Sequence, residues 1–243
     1  MRNLKFYLLS IVTALAVFTA SAQTADDIIN KTVDALGGKD AISKINSMTV
    51  DATMQVMGNE APNTITVLNG KGYRSESEFN GQKIITAVTD KGGWMINPMA
   101  GANDATALPA DQFKSYKEQL YIGGPLINNY AANGYKAELQ GQEKVGSVNA
   151  YKIKLTSKDS VETIYYIDPT TYYPIKSVRH GNAMGQDVEI TTTMSNYKKT
   201  DGGFVAPYSV DLDFGGQFQI SSTIKKIELN KPVDPKIFDM PSK

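Results

Sequence analysis

From Ser47 onward the chain alternates. Met48, Val50, Ala52, Met54 and Val56 interleave with Thr49, Asp51, Thr53 and Gln55. A period of two sends the first set to one face of a strand and the second set to the other. One apolar face and one polar face is the pattern of an antiparallel sheet covered on a single side. The same pattern predicts strands over 64–69, 72–79 and 83–89, and a short strand around Trp94. Further along it predicts strands at Tyr151/Ile153/Leu155, at Ile164/Tyr166, over 175–180 and 186–197, at Tyr208/Val210/Leu212/Phe214, and over 217–229. Turn chemistry separates them: Gly58-Asn59, Asn69-Gly70, Asn80-Gly81, Pro169-Thr170-Thr171 and Asp201-Gly202-Gly203. Residues 47–97 and 135–229 therefore read as two antiparallel meanders.

Helical signals are few. Residues 24–36 read as a helix with Thr24 as cap, Asp27 three positions on, and Ile29, Val33 and Leu36 on one stripe. Gly37-Gly38 ends it, and one more turn is expected over 40–45. Residues 98–109 carry Pro98, Gly101, Asn103, Asp104 and Pro109 and read as a loop. Phe113, Tyr116 and Leu120 then keep helical spacing up to Gly123-Gly124-Pro125. Leu126, Ile127 and Tyr130 suggest a second short helix, closed by Asn133-Gly134. The expected fold class is α+β: a single antiparallel sheet of about eleven strands covered on one side by short helices, all in one domain over residues 23–243.

The first residues are of another kind. Arg2 and Lys5 precede an apolar run from Phe6 to Phe18, broken only by Ser10 and Thr13, and Ala20-Ser21-Ala22 follows. This is the layout of a secretory signal peptide spanning residues 1–22 and cleaved after Ala22, leaving an exported product. A membrane anchor would need a run of about 20 apolar residues, longer than this one. No later segment is apolar enough to cross a bilayer.

The 25 basic residues equal the 25 acidic ones, which provides no field for a nucleic-acid backbone. There is no Cys, so thiolate catalysis, disulfides, Cys–zinc sites and a lipid-modified Cys are excluded. The lone His180 excludes a multi-His metal cage and lacks an identifiable partner for acid–base work. Glu76 and Glu78 share a strand face, as glycosidase carboxylates can. Arg74 lies on that face too, so a solvated charged face accounts for the same residues. Asp211/Asp213 and Asp187/Glu189 repeat the arrangement. Tyr165-Tyr166 and Tyr172-Tyr173 each offer one ring to either side of a strand. Met48, Met54, Met95, Met184 and Met194 suit either ordinary core packing or a cavity for flexible acyl chains.

Four stretches carry a resemblance. They are the leader followed at once by a helix and Gly37-Gly38, the segment from Ala87 to Pro98 with Asp90-Lys91-Gly92-Gly93-Trp94, the hairpin from Tyr165 through Asp168-Pro169 to Lys176, and the tail from Val233 with Phe238 and Pro241. Together they resemble the periplasmic lipoprotein-carrier family of outer-membrane lipoprotein-sorting proteins. The resemblance implies a half-open β-barrel-like sheet, lidded by helices, that holds an acyl chain or other lipid in an apolar cavity. Lipoprotein sorting to the outer membrane is the narrower role it implies. It implies no enzymatic activity, no catalytic residue, no metal and no cofactor. Met48, Val50, Met54, Val56 and Trp94 would then face the cavity from the sheet. Phe113, Tyr116, Leu120, Leu126 and Tyr130 would face it from the lid, and Arg74 would be the basic residue near the ligand. The partners implied are lipid or lipoprotein acyl chains. The alternative is a non-enzymatic structural module with a protein partner in a cell-envelope complex.

Overall fold

The computed structural model describes residues 23–183 and 185–241. The expected signal peptide with its cleavage position, and Met184, lie outside the described residues. The first described element, α1 (Ala25–Ala35), starts as its sequence dictates. The Thr24 hydroxyl accepts from the Asp27 amide at 3.2 Å, and the Asp27 carboxylate accepts from the Thr24 amide at 3.0 Å. Two free helix-end donors are thereby satisfied reciprocally. The Thr24 amide and hydroxyl bonds hold the Asp27 carboxyl below its ordinary pKa. The buried side of α1 is Ile28, Ile29 and Thr32. A single turn, α2 (Lys39–Ser43), follows Gly37-Gly38.

Gly37 is required where it stands. Its φ is +122°, and a Cβ there would lie 2.7 Å from the Gly203 carbonyl oxygen. The Val205 amide donates to the Leu36 carbonyl at 2.9 Å, clamping this turn against the sheet. Gly37→Ala should cost about 2 kcal/mol through backbone strain and the close contact. Urea unfolding checks this, and an unchanged midpoint would show that the turn moves aside freely.

The strands are β1 (Ser47–Val56), β2 (Asn59–Leu68), β3 (Gly72–Phe79), β4 (Gln82–Thr89), β5 (Gly93–Asn97) and β6 (Ala102–Ala107), then β7 (Lys136–Val145), β8 (Val148–Thr156), β9 (Glu162–Ile167), β10 (Pro174–Ala183), β11 (Gln186–Lys199), β12 (Val205–Phe214) and β13 (Gln219–Leu229). All belong to one antiparallel sheet in the order β6-β5-β4-β3-β2-β1-β13-β12-β11-β10-β9-β8-β7. Each meander forms one arm of the sheet, and β1 and β13 join the arms, with Met48 opposite Leu229 and Val56 opposite Ile220. β6 and β7 are the two edges and do not pair with each other, so the sheet is open rather than a closed barrel.

The sheet has two strands beyond the eleven expected. β6 occupies the segment read as a loop; its Ala, Asn, Asp and Thr residues carry little strand preference, and pairing with Trp94 and Met95 holds it. β7 is interrupted by a bulge between Leu139 and Gln142, which breaks the alternation that would have announced it.

The chain between β6 and β7 forms α3 (Ala110–Tyr116), a 3₁₀ turn (Lys117–Leu120), and a run of turns up to Tyr135. The short helix expected at Leu126, Ile127 and Tyr130 is absent. Gly123, Gly124 and Asn129 adopt left-handed backbone (φ +73°, +85° and +49°). The Asn128 side chain donates to the carbonyls of Ile122 and Gly124, which a helix would use itself. Leu126 and Ile127 still point inward. With Ile28, Ile29, Val67, Ile153, Leu155, Ile167 and Phe204 they form the main core.

The sheet is strongly curled. Phe113 and Tyr116 pack near Val88 on β4, while Ser115 of the same helix hydrogen-bonds Arg179 on β10. Those strands are seven places apart in the sheet, which in a flat sheet would put them about 34 Å apart. A seven-residue helix is only about 10 Å long. The insert between β6 and β7 thus bridges the two arms across the inner face.

Candidate functional site

Cross-strand register assigns every residue to a face, because opposed residues in an antiparallel ladder share one. Val50 pairs with Ile65 and Ile227, and Ile65 pairs with Ser75. This row is on the face that carries α1 and the insert. One end of that face is filled: Met48, Ile65, Val67, Ile227 and Leu229 pack against the main core. At the other end no buried cluster of the described residues extends over it. Val56, Ile220 and Leu212 form one cross-strand row, and Met54, Ser222, Val210 and Met194 form the next. All of these are half-buried, and the apolar ones join none of the buried clusters. Ile84 of β4 and Ile224 of β13 share this state. The result is a half-exposed apolar surface on the concave inner face, a trough contributed by β1, β4 and β11–β13 and interrupted on β2 and β3 by the buried Asn63 and Ser77.

The residues singled out from sequence divide into four groups. Met54 and Val56 line the trough, whereas Met48 and Val50 lie deeper on the same face, Val50 only 6% exposed. Phe113, Tyr116 and Leu120 pack with Val88, Leu108 and Tyr73 against the β3–β5 arm. Leu126 is in the main core and Tyr130 packs against it, where the Tyr130 hydroxyl bonds the Asp26 carboxylate of α1. Burial and that carboxylate push the Tyr130 hydroxyl up to about 12.

Trp94 and Arg74 are on the opposite, outer face. Thr66, Arg74, Ala87 and Trp94 form one row across β2–β5. The C-terminal segment covers that row. Phe238 inserts beside Gly72, where a Cβ would come within 2.5 Å of its ring. Trp94 Nε1 donates to the Phe238 carbonyl at 2.8 Å, and Arg74 Nη1 to the Ile237 carbonyl at 2.7 Å. The Arg74 guanidinium also bonds Glu76 and sits 5.4 Å from the Trp94 ring centre. A surface cavity of about 550 Å³ lies along this strap, between Thr64, Arg74, Lys236 and Met240. It is separate from the trough.

Two polar residues on the trough side had no sequence signal strong enough to single them out. Glu118, in the 3₁₀ turn of the insert, is 7% exposed. Its carboxylate accepts from the Thr163 hydroxyl of β9 at 3.0 and 3.2 Å. Burial raises its pKa, with the Thr163 bond and nearby Arg179 opposing. A carboxyl whose pKa is higher folded than unfolded stabilises the fold below its unfolded pKa, and that contribution is lost as pH rises through the folded value. Glu118→Gln should therefore raise the urea midpoint at pH 8 and leave it unchanged at pH 4. An equal shift at both pH values would show that ionisation of Glu118 is not the cause. Arg179, on β10, faces inward with Ile190 and Thr163 and donates to Ser115 of α3.

In two of the carboxylate pairs one member is tied down by neighbouring groups. Glu76 is held by Arg74, and Asp213 accepts from the Gly216 amide and the Gln219 side chain, both at 2.7 Å. These bonds lower the Asp213 pKa. His180 is exposed on the outer face opposite Glu189. Among the described residues no three His, Asp or Glu side chains cluster as metal ligands would. The tyrosine pairs pack. Tyr165 is in the main core and Tyr166 in an outer-face cluster, while Tyr173 stacks on Tyr197 at 4.5 Å.

No protein-family model and no curated protein matches the chain. Solved structures do. A LolA superfamily protein of Nitrosomonas europaea superposes with a TM-score of 0.59 at 13% identity, over 89% of this chain and 97% of that one. A domain from Vibrio parahaemolyticus assigned to outer-membrane lipoprotein sorting gives 0.59 at 11% identity, over 88% and 97%. A DUF1329-family protein of Desulfovibrio piger gives 0.52 at 12% identity, again over 88% and 97%. In its open antiparallel sheet the chain has the LolA-like fold.

Proposed function

We propose that the chain is an exported, periplasmic carrier that holds an acyl chain or another lipid in the trough. The observation that carries this reading is the set of apolar side chains from both arms, Met54, Val56, Ile84, Met194, Val210, Leu212 and Ile220. They share the inner face of the curled sheet, half-exposed and outside every buried cluster. Monomeric proteins rarely leave such a surface without a use for it. A lipid chain laid along it gains about 0.8 kcal/mol per methylene removed from water. Met54 and Met194 supply side chains that adapt to a flexible ligand. The fold shared with the Vibrio lipoprotein-sorting domain supports acyl chains of lipoproteins as the natural cargo. The leader at residues 1–22 supports export to the compartment where such cargo is moved.

In this reading α3 and the following 3₁₀ turn form the lid side, with Phe113, Tyr116 and Leu120 as its apolar contacts. Few hydrogen bonds tie α3 to the sheet, so it is the element able to move as cargo enters. The test is to secrete the full chain, purify it from the periplasm, extract it with organic solvent and identify lipids by mass spectrometry. The expected result is lipid recovered at about one molecule per chain. Recovery of none, with a crystal structure in which side chains fill the trough, would overturn the reading.

A further inference from the structure

The apolar trough ends at a cation. Arg179 sits on the inner face, beside Ser177 of its own strand and Thr192 and Ile190 of β11. A guanidinium has five N–H donors. Among the described residues Arg179 makes one side-chain hydrogen bond, from Nη1 to the Ser115 hydroxyl, and has no carboxylate within 4.0 Å. The nearby Glu118 is not its contact partner, because its two oxygens turn to Thr163. The side chain is half-buried rather than extended into solvent.

The strand makes room for this arrangement. Gly181 lies two residues on, on the same face. A Cβ there would come within 2.6 Å of the Ile190 side chain and 3.2 Å of Arg179 Nη1. Its φ is outside the left-handed region, so the backbone does not require glycine. What the missing side chain provides is space, and the guanidinium and Ile190 occupy it.

We propose that Arg179 is an anion-recognition site at the end of the trough, and that the cargo is an amphiphile with an anionic head, a carboxylate or a phosphate ester, on an apolar chain. The inference rests on the carrier reading above. The head accepts from the unused N–H groups of Arg179, with the Ser177 and Thr192 hydroxyls beside it. The chain runs along Val210, Leu212 and Met54. A charge-assisted pair of this kind, partly shielded from water, is stronger than a neutral hydrogen bond.

The experiment compares three twelve-carbon probes on the mature protein by calorimetry, each below its aggregation concentration: laurate, monododecyl phosphate and neutral monolaurin. The expected result is that at least one anionic probe binds about tenfold more tightly than monolaurin. That advantage shrinks as salt is raised. Arg179→Gln brings the ratio of anionic to neutral affinity close to one, and Arg179→Lys retains part of it. Circular dichroism checks that both variants fold, and the salt series on the unaltered protein stands if they do not. Equal binding of all three probes by the unaltered protein, or an anionic preference that survives Arg179→Gln, overturns the anion site and leaves the carrier reading standing. Binding of none of the three overturns both. Laurate and monododecyl phosphate, compared with each other, distinguish a carboxylate from a phosphate head.

Discussion

Replacing Trp94 with alanine should remove about 3–5 kcal/mol of stability, the range for deleting a large buried aromatic ring. Trp94 is 3% exposed and does three things at once. Its ring fills the small cluster of Ile85, Ala87 and Ile96 on the outer face, supports the Arg74 guanidinium, and donates to the Phe238 carbonyl. The last contact joins the tail to β5 across 144 residues of chain. Loss of stability should therefore come with release of the tail, and limited proteolysis should cut near residues 234–241 in the variant and not in the parent. Trp94→Phe separates the two effects, since it keeps most of the ring and leaves the Phe238 carbonyl without its donor. A loss below about 1 kcal/mol for Trp94→Ala would show that the strap holds without its anchor.

Val210→Asp should weaken monolaurin binding by at least about tenfold, because a chain lying in the trough would have to desolvate the new carboxylate. Val210 is at the centre of the cross-strand row with Ser222, Met194 and Met54. It is half-buried and outside the core clusters, so the fold should lose much less than its cargo does. The neutral probe keeps this measurement independent of Arg179. Unchanged affinity, with the thermal midpoint intact, would place the ligand somewhere other than the trough.

The fold is legible in the sequence where local pattern and tertiary role coincide. The alternation in β1 identified Met48 to Val56 as an inward row, and the Thr24–Asp27 box located the start of α1 to the residue. Trp94 was harder. β5 is five residues long, and Trp94, Met95 and Ile96 are all apolar, so the pattern does not say which of them points inward. Its outer face is apolar because a tail from the far end of the chain covers it. That long-range fact also put Arg74 beneath the strap rather than in the trough. The far wall of the trough was visible as alternation in β12, but nothing local says that β12 curls round toward β1. Arg179 and Glu118 stayed hidden for a similar reason. A single basic residue in a strand and a single acid in a short helical turn are ordinary. Only the pairing of β9, β10 and β11 with the insert makes one of them buried and leaves the other facing the trough.

The β1–β13 seam sets an order of events. Every other neighbour in the sheet is also a neighbour in sequence, so each arm is a meander that can zip up locally as it is synthesised. The seam pairs Met48 with Leu229 and has to close a loop of about three quarters of the chain. The entropy of that closure rises only slowly with length, but contacts this distant slow the search for them. Until residues 219–229 are made, β1 and β12 are left as unpaired edges. Such edges are open to mispairing with neighbouring chains.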